Sequence, residues 1–329
     1  MPVRDAASTL PACLESIRRQ RGPSWECVIV DDGSSDGSPA ELARAAELDP
    51  RFRVLRQAAS GIVAALTRGL GACRGRYVAR MDADDLMRSN RLLRQASALD
   101  ADRSLAGVGC HVRLFPRTRQ YSGRREYERW LGSLVSPRDI ARDAFIECPL
   151  AHPSLMLRRT VFERYGYRDP GWPEDYDLVL RLLAGGQKLG VVPERLLCWR
   201  DGEGRLSRTS ETYRLERFTA CKAHFLAHGL LQASDEYILW GYGDTGRALS
   251  RALALQGKRP RAIIEVHPGR LGQRILGAPV LAPAALPALM RERRSPIVAS
   301  VARPGPRGEV RAALDGFGFV ELEDYVCAA

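Results

Sequence analysis

The first two thirds of the chain alternates between segments with helical spacing and short apolar runs that are typical of strands. Leu10, Cys13, Leu14 and Ile17 share one stripe, because residues three or four positions apart lie on one helix face. The pattern predicts helices over 10–20, 39–48, 61–71 and 90–99, and strands over 25–30, 52–55 and 76–81. This alternation predicts an α/β fold with a largely parallel sheet and right-handed crossovers.

Two regions depart from this rhythm. A strand should open such a sheet, yet only Pro2 and Val3 fit one, so we expect either a short first strand or a start site placed too late. Residues 107–171 are irregular, with arginine and tyrosine concentrated around 117–129. That stretch is an ordinary solvated surface in one interpretation and a recognition loop beside an active site in the other.

The composition is that of a globular protein with about two domains. The chain has 329 residues, of which 45% are hydrophobic and 27% charged. No apolar run approaches the roughly 20 residues that span a bilayer, and the first residues do not resemble a signal peptide. The eight cysteines are scattered without metal-binding spacing, which indicates reduced thiols. We expect a cytoplasmic protein, with a peripheral position at the inner face of the plasma membrane as an alternative.

The formal net charge is +11, and arginine supplies nearly all of the excess. A GC-rich genome would explain this excess without any function. A basic surface would otherwise favour anionic ligands such as nucleotide diphosphates, or the anionic face of a membrane. The sequence shows no recognised nucleic-acid-binding motif and no basic stripe with interleaved aromatic residues, so we expect no nucleic-acid partner.

Carboxylates follow two of the predicted strands. Asp82, Asp84 and Asp85 follow one strand, and Asp31 and Asp32 end an earlier one. The carboxyl ends of parallel strands meet at one edge of a sheet, where ligands bind. Crowded carboxylates repel one another unless a cation lies among them, and oxygen ligands suit Mg²⁺ or Mn²⁺. The pattern predicts a site for a metal and a diphosphate, and a solvated acidic turn that caps the next helix is the structural alternative.

A third group of acids follows Trp172 and Pro173, at Glu174, Asp175 and Asp177. The apolar positions beyond it predict a helix with these acids in its first turn. The helix dipole favours acids there, so a structural cap explains one of them. Three acids behind a Trp-Pro pair favour an additional role.

The pattern resets after a helix predicted over 213–230. A strand at 237–240, a glycine turn, a helix to about 256 and a strand at 262–266 form a βαβ unit with a dinucleotide-binding fingerprint. The residues of this fingerprint are Gly241, Gly243, Gly246 and Glu265. The glycines predict either nucleotide binding or only close packing of strand and helix. Further strands are expected at 296–301 and near 319–322.

Several motifs, in this order, resemble those of inverting family 2 glycosyltransferases with the GT-A fold. The matching segments are 1–5 with Leu10, Ser16 and Ile17; VDDGSSDGS at 30–38; GIVAAL at 61–66; GRYVARMDADD at 75–85; Arg91 with Gln95; HPS at 152–154; and EDYDL at 174–178. From about residue 235, the chain resembles the small Rossmann-like domain attached to sugar-modifying enzymes.

The resemblance implies roles for the matching residues. Asp31 or Asp32 would contact the base or ribose of a nucleotide sugar. Asp82 and Asp84 would hold Mn²⁺ or Mg²⁺ against the diphosphate, and Asp175 would be the general base that deprotonates the acceptor hydroxyl. The resemblance also implies acceptor or phosphate contacts from His152, Glu174, Trp199 and Arg200.

The chain departs from the family pattern at two positions. Many relatives carry a histidine shortly after a Tyr-Arg pair, whereas Trp199 and Arg200 are followed by Asp201 and Gly202. Thr67 stands where relatives usually have asparagine. The absence of this histidine bears on the affinity for the metal ion.

We therefore expect a metal-dependent transferase that moves a sugar from a nucleotide-diphosphate donor to a glycan or lipid-linked acceptor, with inversion, in cell-surface polysaccharide synthesis. The expected regions are a GT-A domain at 1–212, a helical linker at 213–233 and a Rossmann-like accessory domain at 234–329. One alternative is an inactive, transferase-like binding or scaffold protein. The other is an NAD-dependent oxidoreductase built on the turn at Gly241, although no catalytic Tyr-Lys or His constellation accompanies that turn.

Overall fold

The computed structural model describes residues 1–117, 122–202 and 210–329. The chain forms two compact units, each built from several stretches. The first comprises Met1–Ile140, Leu150–Pro170 and Asp177–Thr209, and the second comprises Ala141–Pro149, Gly171–Tyr176 and Ser210–Ala329. The segment that carries Glu174 and Asp175 therefore belongs to the second unit.

A parallel sheet opens the first unit. Its strands are β1 (Pro2–Val3), β2 (Cys27–Asp32) and β3 (Phe52–Gln57), in the order β1-β2-β3. Val28, Ile29 and Val30 are buried, as expected for a parallel strand that is covered on both faces. This sheet confirms the predicted parallel start of the fold and places Asp31 and Asp32 at its carboxyl edge.

The second sheet of this unit is mixed. Its strands are β4 (Tyr77–Ala79), β5 (Leu86–Met87), β6 (Leu105–Phe115), β7 (Met156–Arg158) and β8 (Lys188–Arg200), in the order β4-β7-β6-β8-β5. β6 and β8 are parallel, whereas β7 pairs antiparallel with both β4 and β6. The prediction of a largely parallel sheet is wrong here, because apolar periodicity identifies a strand but does not fix its direction.

Helices flank both sheets of the first unit. They are α1 (Leu10–Arg18), α2 (Ser38–Leu48), α3 (Ile62–Ala72), α4 (Arg91–Ala101), α5 (Ser122–Leu131), α6 (Pro137–Asp143), α7 (Arg159–Tyr165) and α8 (Glu174–Ala184). The last residues of α6 and the first residues of α8 belong to the second unit. The predicted apolar stripe of α1 is buried. α1 ends before its predicted limit, where the backbone amide of Gln20 donates to the carbonyl of Ile17, three residues back, and that of Arg21 donates to the carbonyl of Ser89.

The second unit is a parallel α/β structure with one antiparallel edge strand. Its strands are β9 (Glu236–Trp240), β10 (Arg259–Ile264), β11 (Arg274–Ile275), β12 (Ala278–Leu281), β13 (Ile297–Ala299) and β14 (Tyr325–Cys327), in the order β11-β12-β10-β9-β13-β14. Its helices are α9 (Leu215–His228), α10 (Asp244–Ala254), α11 (Leu286–Glu292) and α12 (Pro304–Gly316). The predicted βαβ unit is confirmed as β9, α10 and β10.

One predicted strand of this unit is misplaced. Residues 319–322 form no strand, and the strand lies at Tyr325–Cys327. The Asp324 carboxylate accepts the amide hydrogen bond of Val320 at 3.0 Å, which folds the apolar run into a turn. In 1–117, 122–202 and 210–329, no helix combines the length and apolar character needed to cross a membrane.

Candidate functional site

The acids at the end of β2 organise the turns that follow them. Asp31 Oδ1 accepts the amide of Ser34 at 3.0 Å. Asp32 accepts the amides of Ser60 and Gly61, at 2.8 and 2.9 Å, through its two oxygens. Both acids are almost fully buried. Asp31 therefore shapes the turn after β2 and Asp32 the loop before α3, and any ligand that they contact would meet a preformed backbone.

The predicted metal-binding acids form a tight cluster after β4. One carboxylate oxygen from each of Asp82, Asp84 and Asp85 lies within 4.8 Å of the others. Asp85 is fully buried, and its Oδ1 accepts the amide of Arg200 at 2.7 Å. The guanidinium Nε of Arg200 donates to the carbonyl of Asp84 at 2.7 Å. The structure therefore brings Arg200 to the acidic turn, although more than a hundred positions separate them in the sequence.

The start of α1 connects the two acid-bearing turns. Thr9 Oγ1 donates to the carbonyl of Ala83 at 3.2 Å, and Cys13 Sγ approaches the carbonyl of Asp82 at 3.2 Å. The amide of Ala7 donates to the Asp36 carboxylate at 2.9 Å, in the loop that follows β2. Residues 7–13 thus contact both turns, which lie around one edge of the first unit.

Arg80 is a site residue that the sequence analysis missed. Its side chain is almost fully buried, and its Nη1 lies 2.5 Å from both the carbonyl oxygen of Met81 and Asp82 Oδ1. Residues two positions apart on an extended segment point to the same side. This spacing was the signal that could have identified the pairing of Arg80 with Asp82. The guanidinium supplies a permanent positive charge at the acidic cluster.

A buried polar network holds the backbone just before the acidic turn. Arg91 Nη2 donates to the carbonyl of Arg80 at 2.9 Å, and Arg91 Nε donates to Gln95 Oε1 at 2.9 Å. Gln95 Nε2 donates to the carbonyls of Val108 and Ser154 at 3.1 and 2.8 Å. The network joins α4 to the end of β4, to β6 and to the turn at His152–Ser154.

His152 and Trp199 lie inside the first unit. His152 is buried, and its Nε2 lies 2.9 Å from the Tyr167 hydroxyl. Burial lowers the pKa of His152 well below its usual value, and the charge of Arg80 acts in the same direction. Trp199 packs against the Tyr127 ring with centroids 6.1 Å apart. A neutral imidazole that is mostly covered fits a structural role as well as the predicted acceptor or phosphate contact.

Glu174 and Asp175 open α8 within the second unit. Glu174 is buried, and its Oε2 accepts a hydrogen bond from the Tyr213 hydroxyl at 2.5 Å. Asp175 is half-buried, and its Oδ1 accepts the amide of Tyr176 at 2.7 Å. The sequence analysis did not identify Tyr213, because a sequence pattern does not show which distant hydroxyl group will bond to a buried acid.

The glycine turn of the second unit is closely packed. A Cβ on Gly246 would lie 2.1 Å from the carbonyl oxygen of Gly241, whereas Gly243 has open space around it. Burial raises the pKa of Glu265, but hydrogen bonds from the backbone amides of Val266 and His267 and from Arg270 lower it overall. Arg270 Nη1 lies 3.0 Å from Glu265 Oε2. The packing alternative therefore explains Gly246, and Glu265 already has a cationic neighbour.

The first unit contains a cavity of about 890 Å³. Its lining includes Cys27 and Tyr77, the first residues of β2 and β4, and is mostly apolar. Of the described residues, the acids Asp31, Asp32 and Asp82 are not among those that line it. Arg80, which pairs with Asp82, does line it, so the cavity reaches the residues beside the acidic cluster without including these acids.

The sequence profile of glycosyl transferase family 2 matches residues 1–166, just over half of the chain. The chain belongs to this family. It is 30% identical over 258 residues to the succinoglycan biosynthesis protein ExoO of Rhizobium meliloti. The matched region covers 73% of this chain and 72% of that protein. It is also 28% identical over 207 residues to the amylovoran biosynthesis glycosyltransferase AmsE of Erwinia amylovora, over 62% and 75% of the two chains.

Two solved structures share the fold of this chain. S. aureus TarS in complex with UDP-GlcNAc superposes with a TM-score of 0.55 at 14% identity, over 77% of this chain and 70% of that one. The mannosyltransferase PcManGT of Pyrobaculum calidifontis, in complex with GDP-Man and Mn²⁺, superposes with a TM-score of 0.50 at 18% identity. The match covers 97% of this chain and 79% of that one. Identities this low show the fold alone, and they confirm the GT-A type fold that the family 2 motifs implied.

Proposed function

We propose that this family 2 glycosyltransferase transfers a sugar, with inversion, from a nucleotide-diphosphate donor to a glycan or lipid-linked acceptor in polysaccharide biosynthesis. The main support for the proposal is the cluster of Asp82, Asp84 and Asp85 that follows β4. The names of ExoO and AmsE, which refer to succinoglycan and amylovoran biosynthesis, support the polysaccharide assignment.

The acidic cluster fits a divalent cation. Its donor atoms are carboxylate oxygens, which suit Mg²⁺ and Mn²⁺, and they already lie within 4.8 Å of one another. Asp82 and Asp84 would hold the ion, while Asp85 fixes the turn through the backbone amide of Arg200. When bound, the cation would neutralise negative charge that develops on the departing diphosphate.

The remaining chemistry falls to the chain's own residues. Asp175 accepts the proton of the acceptor hydroxyl, whose oxygen forms a bond to the anomeric carbon of the sugar. The bond from that carbon to the diphosphate oxygen breaks, and the nucleoside diphosphate leaves. A single displacement of this kind inverts the anomeric centre. Asp31 and Asp32 bind the base or ribose, and Arg200 supplies positive charge beside the acidic turn.

Four further contacts belong to this proposal. His152, Glu174, Trp199 and Arg200 remain predicted acceptor- or phosphate-binding residues. Of these, Arg200 has the clearest support, because its backbone and side chain both contact the acidic turn. Nucleotide binding at Gly241, Gly243, Gly246 and Glu265 stays a separate prediction, which calorimetric titration of the whole protein with nucleotides would test.

The test of the proposed base is the Asp175→Asn variant. We expect it to lose sugar transfer while it binds the nucleotide sugar with wild-type affinity, because the amide cannot accept the proton. Asp102→Asn, an exposed change at the end of α4, is the matched control and should keep full activity. Full turnover by Asp175→Asn would overturn the base assignment. Absence of both turnover and donor binding in the wild type would favour the scaffold alternative.

A further inference from the structure

The segment that carries the proposed base is built into the second unit. Residues 171–176 group with Ser210–Ala329, although the rest of α8 belongs to the first unit. On one side of Asp175, the buried Glu174 carboxylate accepts the Tyr213 hydroxyl at 2.5 Å. A buried carboxylate requires hydrogen-bond donors, so this contact restrains the backbone at the first residue of α8.

Aromatic contacts restrain the same segment on both sides. The Trp172 ring packs against His224 with centroids 5.3 Å apart, and the Tyr176 ring packs against Phe218 at 5.7 Å. The Tyr176 hydroxyl, which is completely buried, donates to the carbonyl of Ala144 at 2.7 Å. The residues before and after Asp175 are therefore both anchored, and two of the anchoring rings lie on α9.

α9 is in turn fixed by the core of the second unit. Ala223 and Leu226 of α9 are completely buried in a cluster with Leu249 of α10. Lys222 Nζ donates to the carbonyl of Ile146 at 2.7 Å and lies 3.3 Å from that of Ala328. Burial lowers the pKa of Lys222, as expected for an ammonium group held inside a folded core. The helix that supports the acidic segment thus cannot shift without disturbing the unit.

We propose that the C-terminal unit positions the proposed base of the transferase, with Tyr213 as a positioning residue. The inference rests on the proposed function, because it takes Asp175 as the base. Tyr213 does not touch the reacting atoms. It holds Glu174, and through Glu174 the first turn of α8, so that the Asp175 carboxylate keeps one orientation. The C-terminal unit then has a role in sugar transfer, through the base that it carries.

The test compares two tyrosine variants in one unit. Tyr213→Phe removes the hydroxyl that meets Glu174. Tyr237→Phe removes a buried hydroxyl that has no hydrogen-bond partner among the described residues, so it is the matched control. We expect Tyr213→Phe to lower kcat about 10- to 100-fold, since a small misplacement of a catalytic group has effects of this size. The KM for the donor should change less than about twofold.

Amide hydrogen exchange supplies a readout that does not depend on turnover. In Tyr213→Phe, the amides at the start of α8 should exchange faster, while those of β2 and β9 keep wild-type protection. In Tyr237→Phe, all three should match the wild type. Wild-type kcat and unchanged exchange in Tyr213→Phe would overturn the proposal. Loss of kcat together with uniformly faster exchange throughout the second unit would also overturn it, because that pattern indicates general destabilisation.

The two proposals fail in different ways. If Asp175→Asn keeps full turnover, the base assignment is wrong whatever Tyr213→Phe does. If Asp175→Asn is inactive and Tyr213→Phe has wild-type kcat, the base assignment stands and the positioning role of Tyr213 is wrong.

Discussion

Arg91 is a fully buried cation whose removal should be costly. Its guanidinium donates to the carbonyl of Arg80 and to Gln95 Oε1, both at 2.9 Å, and its Nη1 lies 3.4 Å from Met81 Sδ. The side chain is completely buried, and this burial lowers the pKa of Arg91. The perturbation we consider is Arg91→Met, which keeps an unbranched apolar stem and removes every donor.

The expected loss follows from the two acceptors that remain. Each buried acceptor left without its donor costs about 1–3 kcal/mol, so the carbonyl of Arg80 and Gln95 Oε1 together cost about 2–6 kcal/mol. Removing a buried charge recovers part of this, because the folded state no longer desolvates a guanidinium. We therefore expect Arg91→Met to lower the free energy of unfolding by about 2–4 kcal/mol.

The assay is urea unfolding of Arg91→Met beside Arg94→Met. Arg94 lies on the same helix, is half exposed and pairs with Glu194 at 2.7 Å. A surface ion pair contributes about 0–1 kcal/mol, so Arg94→Met should change little. If Arg91→Met proves as stable as Arg94→Met, the network does not anchor the acidic turn in the way described.

Two further predictions concern single positions. Because burial lowers the pKa of His152 below its usual 6.5, the unfolded chain binds a proton that the folded chain does not, and stability falls as the pH drops below 6.5. Relative to His152→Gln, wild type should lose up to about 1.4 kcal/mol per pH unit in that window, measured by urea unfolding, and parallel curves would contradict this. Gly246→Ala should destabilise by about 2 kcal/mol or more, because its Cβ would lie 2.1 Å from a backbone oxygen. Gly308, on α12, has open space around it, so Gly308→Ala should instead raise the free energy of unfolding by up to about 1 kcal/mol. Equal melting temperatures for the two variants would refute the packing argument.

Local patterns were sufficient for most of the elements. The stripe of α1, the buried strand β2 and the βαβ unit around Gly241 follow directly from periodicity, because burial of one face imposes it. The directions of the strands and their pairing could not be predicted from periodicity. β4 lies antiparallel to β7, which is distant in the sequence, and only tertiary packing selects that partner.

The candidate site was also predictable only in part. Asp82, Asp84 and Asp85 were identifiable because they are adjacent in sequence, and the structure confirms that they cluster. The contacts that hold the candidate residues come from far away: Arg200 reaches Asp84 and Asp85, and Tyr213 reaches Glu174. A sequence pattern records which residue types are present, whereas these pairings depend on how the chain folds back.

The measurement that tests the central claim most directly is donor-induced thermal stabilisation with and without Mn²⁺. Wild type and Asp84→Asn would be heated with a panel of nucleotide sugars, each also tested alone. A donor at about 100 times its Kd adds about 2.7 kcal/mol to the stability of the folded state. We predict that at least one nucleotide sugar stabilises wild type only with Mn²⁺ or Mg²⁺ present, and that Asp84→Asn loses this effect. Equal stabilisation of both proteins, or none in wild type with any donor, would contradict a metal and nucleotide-sugar site at the acidic cluster.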